Sequence, residues 1–427
     1  MRSNMNWLLV VATLFFISVP VEAQEDELEL IESVTSLQQK LNSDVVADRQ
    51  LAEKELIELG PAILEYLDPV TEDATTDFSE RVTRIRTTLE KKTADLAAQA
   101  STISLSGTMT VGEALEKLKR KTGNVVAVAD DSQLDKSITL DLKDAEFWAV
   151  MEAIMNQAGL MVDRYGSEKP GQLMLNSRGP KAKAIEPPTS HSRIFQTQVL
   201  RVDSSVNLLQ PQLDFTTVNL LVRWEPRLRP ISVDIPMRSV KVVDEFGDSL
   251  QVAQPEQVIY GMVQPEIPEV EFSLTLPRVD RQVESIKSIS ATIDTLLPGR
   301  VETFRMKKVS KLKPGYTIEK AGANLTFGGT QKNEDVYSVK VSISFDEENN
   351  ALESHQGWVF QNEVYLLDSQ GKQEAAISLE TIQQDNQRVT VQYYFVEEPG
   401  ERTLVYKTPA SIVKMPVKVE LTSIPLP

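Results

Sequence analysis

The sequence predicts a multidomain α+β protein: a helical module first, then a small α/β domain, then two mostly antiparallel β-sandwich domains. Three observations carry that prediction. The chain has 427 residues, 41% of them hydrophobic and 25% charged, which suits several cores better than one. Up to about residue 176, apolar residues mostly recur three and four apart, as on one helix face. Beyond His191 they alternate with polar residues, as on a half-buried strand.

The N-terminus reads as an export signal over residues 1–23. Arg2 supplies positive charge, "WLLVVATLFFISV" from Trp7 is the apolar stretch, and "VEA" puts small Val21 and Ala23 before a cut at Ala23/Gln24. The stretch is short for a membrane span, and retention as an anchor is the alternative reading. The mature chain is therefore expected outside the cytoplasm, in the periplasm, envelope or extracellular space, with no membrane span. There is no cysteine. Disulfides, thiolate catalysis and cysteine-bound zinc are excluded, and an exported chain must rely on its cores.

Residues 24–99 read as the helical module. Leu30, Val34, Leu37 and Leu41 share one helical stripe. Leu51, Leu56 and Leu59 lie on the next helix, which Gly60 ends. Pro61 suits the first turn of a further helix carrying Ile63, Leu64 and Leu67, stopped before Pro69. Val82, Ile85, Leu89 and Leu96 continue on a last helix. The helix–Gly-Pro–helix unit at residues 47–68 resembles a single HEAT-type repeat, and one such unit needs neighbours to bury its faces. A plain spacer is the alternative reading of the module.

Residues 100–176 read as the α/β domain, in the order β-α-β-β-α-β-β. Val111, Ala114, Leu115 and Leu118 form a helix face, with Gly123 at the C-cap. "NVVAVA" is a buried strand. "SITLDLK" from Ser137 alternates, with Ile138, Leu140 and Leu142 on one face. Asp144 suits an N-cap. Phe147, Val150, Met151 and Ile154 form the second helix face, Gly159 ends it, and "LMVDRY" and "QLMLNS" close the unit. Two such helices are expected to cover one side of a single small sheet. The wording "TVGEALEKLKRKTGNVVAV…ITLDLKDAEFWAVMEAIMNQAGLMVDRY" resembles the short N-terminal (STN-like) domain of secretins and TonB-dependent receptors. That resemblance implies a periplasmic docking module with no chemistry of its own. It does not extend to an outer-membrane barrel or pore, so no transport role comes with it.

Residues 177–191, "SRGPKAKAIEPPTSH", read as a linker. The remainder reads as β, in two Ig-like sandwiches over 192–309 and 310–427; one large β domain is the alternative. In "YSVKVSISF", Tyr337, Val339, Val341, Ile343 and Phe345 face one way. In "VKMPVKVELT", Val413, Met415, Val417, Val419 and Leu421 do so, and in "RVTVQYYFV", Val389, Val391, Tyr393 and Phe395. "VKVVDEFGDSL" and "VYLLDSQGKQ" both run an apolar pair into D-x-x-G, a strand entering a tight turn. Each lies downstream of a tryptophan, Trp224 and Trp358, which suggests an internal duplication.

The chemistry is sparse. Net charge is −17, so nucleic acid and anionic lipid are poor partners. The basic cluster "KLKRKTG" reads as a solvated helix face. The two histidines, His191 and His355, lie far apart, and no nucleophile elbow accompanies them. Asp346, Glu347, Glu348 and Asn349 lack calcium-loop spacing. "FGGTQ" at Phe327 and "FGDS" at Phe246 read as hairpin turns. Trp224 and Trp358 are read as core residues rather than a sugar platform. No catalytic, cofactor-binding or metal-binding residue is assigned, and no cofactor is implied. The expected function is a non-catalytic interaction or scaffold protein that meets another envelope or extracellular protein. The alternative is a glycan-binding protein or a carboxylate-dependent polysaccharide enzyme.

Overall fold

The computed structural model describes residues 21–67, 75–164, 166, 169–179, 186–264, 266–320, 322–333, 336–345, 356–385 and 388–427. Most of the expected signal thus lies outside the described residues, as do His355 and the 346–349 acidic cluster. Helix and strand are both present and strand predominates. Among the described residues no helix is long and apolar enough to cross a membrane. The chain divides into two compact units, Met1–Lys92 and Thr93–Pro427.

The first unit is helical. Helix α1 (Val21–Lys40) buries Val34 and Leu37, with Leu41 just past its end. Helix α2 (Val46–Leu59) buries Ala52 and Leu56, whereas Leu51 and Leu59 are exposed. The inward stripe is therefore the i, i+4 pair Ala52–Leu56, not the leucines on either side of it. Gly60, at φ 86°, ends α2, and Pro61 opens a five-residue 3-10 segment, Pro61–Glu65, in place of the expected helix. With a proline at each end the stretch has room for little more than one turn. Ile63, Leu64 and Leu67 reach the core all the same. Helix α3 (Thr76–Ala97) adds Val82, Ile85 and Leu89 to that core, whereas Leu96 is exposed. Glu53 clamps α2 to α3 through Arg84 Nε at 2.6 Å and Arg81 Nη1 at 2.9 Å.

The second unit opens with β1 (Thr102–Thr110), α4 (Val111–Thr122), β2 (Val125–Val128), β3 (Ser137–Glu146), α5 (Phe147–Ala158), β4 (Leu160–Val162) and β5 (Gln172–Ser177). Thr110 and Glu113 form a reciprocal capping box that starts α4, and Gly123 ends it in the left-handed region. Val111, Ala114, Leu115 and Leu118 are all buried, while Lys117, Lys119, Arg120 and Lys121 face solvent. The strands form two sheets rather than one: β1 pairs with β3, and β5 lies between β2 and β4. One core joins both sheets to both helices. Asp144 does not cap α5. It stands within β3 at φ 45° and exchanges hydrogen bonds with Ser104 of β1, and Glu146 occupies the cap position.

The rest is strand: β6 (Thr189–Ser192), β7 (Phe195–Ser205), β8 (Phe215–Trp224), β9 (Ser232–Pro236), β10 (Lys241–Asp244), β11 (Ser249–Leu250), β12 (Val258–Gly261), β13 (Glu269–Pro277), β14 (Ser285–Met306), β15 (Thr317–Lys320), β16 (Ala323–Asn333), β17 (Val336–Phe345), β18 (Glu363–Leu367), β19 (Gln373–Ala375), β20 (Ser378–Gln384), β21 (Arg388–Phe395) and β22 (Thr403–Pro425). The end of the expected linker is thus the strand β6. "FGGTQ" is not a turn but part of β16, at a bulge where Gly329 takes φ 115°.

Strand order repeats. One outer sheet runs β6-β7-β8-β13 and the other β15-β16-β17-β21-β20; between them the central sheet runs β11-β10-β14-β22-β18-β19. The two D-x-x-G turns occupy matching places at its ends. Asp244 Oδ1 accepts from the N–H groups of Phe246 and Asp248, and Asp368 Oδ1 from those of Gln370 and Lys372. Gly247 and Gly371 supply the positive φ that follows. The tryptophans do not match: Trp224 ends β8, whereas Trp358 lies in a 3-10 segment, Gln356–Gln361.

The long strands β14 and β22 pair antiparallel from Ser285↔Pro425 to Met306↔Leu404. Directly opposed residues share a face, and successive residues take opposite faces. Ile289, Ala291, Ile293 and Leu297 meet a first core together with Met415, Val417, Val419 and Leu421. The other face, through Phe304, Met306, Leu404, Tyr406 and Ile412, meets a second core. Each core is therefore completed by half of a strand from the other repeat. The C-terminal residues 415–424, read by sequence with the second sandwich, pack in the first core, and Val413 is only half-buried.

Candidate functional site

Three features of the second unit are candidates. The first is a joint built on Glu225, which follows β8 and is fully buried. Its carboxylate accepts from Ser101 N at 2.7 Å, Ser101 Oγ at 2.6 Å, Asn124 Nδ2 at 2.8 Å and Arg227 Nε at 2.7 Å. Asn124, also fully buried, accepts from Arg227 N, and Arg227 donates to the carbonyls of Ala97 and Gln99. Nearby, Trp148 Nε1 donates to Ile194 O at 2.9 Å. A buried carboxylate costs several kcal/mol unless its lone pairs are used, and here four donors use them. The joint locks the α/β part to the β part.

The second feature is a cleft of about 530 Å³ beside that joint, between α5 and β4 on one wall and the β6–β7–β8 face on the other. His191, Gln196, Arg223 and Glu269 are directly opposed across β6, β7, β8 and β13, so they form one row on one face. Glu152 Oε1, from α5, accepts from Gln196 Nε2 at 2.9 Å and lies 3.2 Å from His191 Nε2. Arg223 is neutralised by Glu269 at 2.6 Å, and Arg164 ties Glu269 to Glu271. Met155, Met161, Val162 and Pro187 supply apolar wall. The arrangement is a polar floor with one carboxylate–imidazole couple at its edge, suited to holding a polar group. Arg178, on the rim, donates to Asn156 Oδ1 and Leu160 O.

The third feature is the tip between β7 and β8. From Ser204 to Leu213 the chain carries no charge. Leu208 is 89% exposed and Leu209 94%. Val206, Leu213 and Phe215 are exposed beside them. The backbone is pinned from within. Asn207 Oδ1 accepts from the N–H groups of Leu209 and Gln210, Asp214 Oδ1 accepts from Asn207 N, and Arg278 holds Asp214 Oδ2 at 2.8 Å. The Asn207 N–H and then the Arg278 guanidinium hold the Asp214 carboxyl below its ordinary pKa. Exposed large apolar residues held in one shape mark a contact surface.

The sequence-level candidates are redistributed accordingly. His191, read as linker, sits on a strand against Glu152. Trp224 and Trp358 are buried, at 1% and 5% exposure, so they are core residues. Among the described residues, no group of three or more His, Cys, Asp or Glu is arranged to hold a metal ion. The Glu225 joint and the His191 row escaped sequence reading because their members are up to 130 positions apart. The leucine tip was missed as well, although its signal, the uncharged stretch "SSVNLLQPQL" between Asp203 and Asp214, lies in the sequence. Compared with known proteins, the chain matches no family model, and no curated protein matches it.

Proposed function

We propose that this protein is an exported, non-catalytic interaction or scaffold protein, built from a HEAT-like helical module, an STN-like docking domain and two Ig-like sandwiches, and that it meets another envelope or extracellular protein. The observation that carries this reading is the pinned leucine tip. Two adjacent leucines, 89% and 94% exposed, have no role in the chain's own core. Burying both against a partner is worth about 3–6 kcal/mol before the cost of association. The buried Glu225 joint supports the same reading, because a rigid body presents fixed surfaces at low entropic cost.

The test is capture of partners from envelope extract by the full chain and by Leu208→Ser/Leu209→Ser. One stoichiometric protein held by the wild type and lost by the double variant is the expected result. Retention on a polysaccharide column, indifferent to the double substitution, would refute the reading in favour of glycan recognition.

A further inference from the structure

Edge strands carry unpaired backbone N–H and C=O groups, and folded proteins blunt them with shortness, lysine, proline or a cover. Most edges of the β part follow that rule. β6, β12 and β15 have four residues each, β19 three and β11 two, and β15 ends on Lys320. β13 is longer, but it ends at Pro277 and its Thr275 carbonyl accepts from Ala253 N at 2.9 Å. β20 departs from the rule. It runs seven residues without lysine or proline, and among the described residues only β21 pairs with it.

Leu379 and Thr381 of β20 oppose Tyr393 and Val391, which lie in the second core, so they share the core's face of the sheet. Yet every residue of β20 is exposed, Leu379 at 40%, and Ile377 just before it at 57%. The core ends at β21 and the sheet continues past it. A bulge after Thr381 limits the regular template to the first half of the strand. The opposite face is acidic. From Ile377 to Asp385 the chain carries Glu380 and Asp385 and no lysine or arginine. Glu380 accepts from the Tyr394 hydroxyl at 2.7 Å and has no cation partner among the described residues. Two β20 strands laid side by side would bring together two acidic edges, which opposes self-pairing.

We propose that β20 is a docking edge for an extended segment of a partner protein in which apolar and basic side chains alternate. Backbone pairing supplies affinity, the apolar side chains cover Leu379 and Ile377, and the basic ones meet Glu380. The leucine tip belongs to the other outer sheet, so the inference goes beyond the reading above and does not rest on it.

The experiment follows hydrogen exchange of the full chain, read on fragments spanning residues 373–385. The probes are a short peptide alternating valine with lysine and the same peptide with glutamate in place of lysine. At about ten times its dissociation constant, the lysine peptide is expected to slow exchange of the outward-facing β20 amides about tenfold. The glutamate peptide should bind at least about tenfold more weakly. Glu380→Lys, made at an exposed side chain, should weaken the lysine peptide at least about threefold and strengthen the glutamate peptide, with the melting midpoint kept. Leu208→Ser/Leu209→Ser should change neither affinity. N-methylation of alternate peptide amides should abolish the protection, because it removes the backbone donors. Equal binding of the two peptides, binding that leaves β20 unprotected, or no binding at about 10 mM would overturn the proposal without touching the capture result above. A chain that sediments as a dimer, with β20 protected before any peptide is added, would overturn it in favour of self-pairing.

Discussion

Replacing Glu225 by alanine probes the joint most directly. The substitution removes the acceptor of Ser101 N, Ser101 Oγ, Asn124 Nδ2 and Arg227 Nε at once. Breaking a buried charged pair from one side costs about 3–5 kcal/mol. The lower end applies, because Asn124 Nδ2 still reaches Ser101 Oγ at 3.0 Å and Arg227 keeps two carbonyls. At roughly 2 cal/mol/K per residue, a loss of about 3 kcal/mol lowers the midpoint of the whole Thr93–Pro427 unit by only about 4 °C. If the α/β part separates, its smaller unfolding entropy makes the shift several times larger for that part alone. Calorimetry should therefore show a lower-melting transition splitting from the main one. Hydrogen exchange should quicken at Ser101, Ile194 and Arg227 while the β14–β22 ladder stays protected. Glu225→Gln should behave nearly as badly, since its amide turns a donor toward donors. A single unsplit transition within a degree of wild type, with unchanged exchange at those three amides, would refute the idea that this carboxylate holds the two parts together.

Other outcomes follow from the same structure. Arg84, through its hydrogen bond, and then Arg81 hold the Glu53 carboxyl below its ordinary pKa. Its contribution is present above the unfolded-state value and lost as pH falls through the folded one. Glu53→Gln should cost the helical unit about 1 kcal/mol at neutral pH in thermal melts and little in acid. Burial pushes the Tyr406 hydroxyl up to about 12 and raises Tyr393 as well. Stability should hold below about pH 10 and fall above it, because the unfolded chain then loses tyrosine protons that the folded chain keeps. An ultraviolet titration should show both phenols ionising only on unfolding. Asp244→Ala and Asp368→Ala each take the acceptor from two backbone N–H groups. Both should lower the melting midpoint of the β part and quicken exchange at those amides, in parallel if the two turns are repeats of one another.

Local pattern was legible where a single element sees one core. Val111, Ala114, Leu115 and Leu118 announce α4 by spacing alone, and Val389, Val391, Tyr393 and Phe395 announce one face of β21. The pattern failed where alanine replaced leucine at the interface. Ala52 is inside while Leu51 and Leu59 are out, because close helix packing selects by position and size and not by hydrophobicity alone. It failed again at Asp144, where a good capping residue found a partner on a neighbouring strand instead.

Sequence by itself determined the main helices and the clearly alternating strands, such as α4 and β21, and the turn chemistry at Asp244 and Asp368, since each depends on residues within a few positions of one another. Tertiary structure alone decided which strands share a core, which face of β14 and β22 turns to which half, and which polar groups meet at Glu225 and His191. The physical reason is that alternation along a strand gives two faces but does not say what covers either. A residue such as Met415 joins a core begun more than two hundred positions earlier only once the whole ribbon has paired.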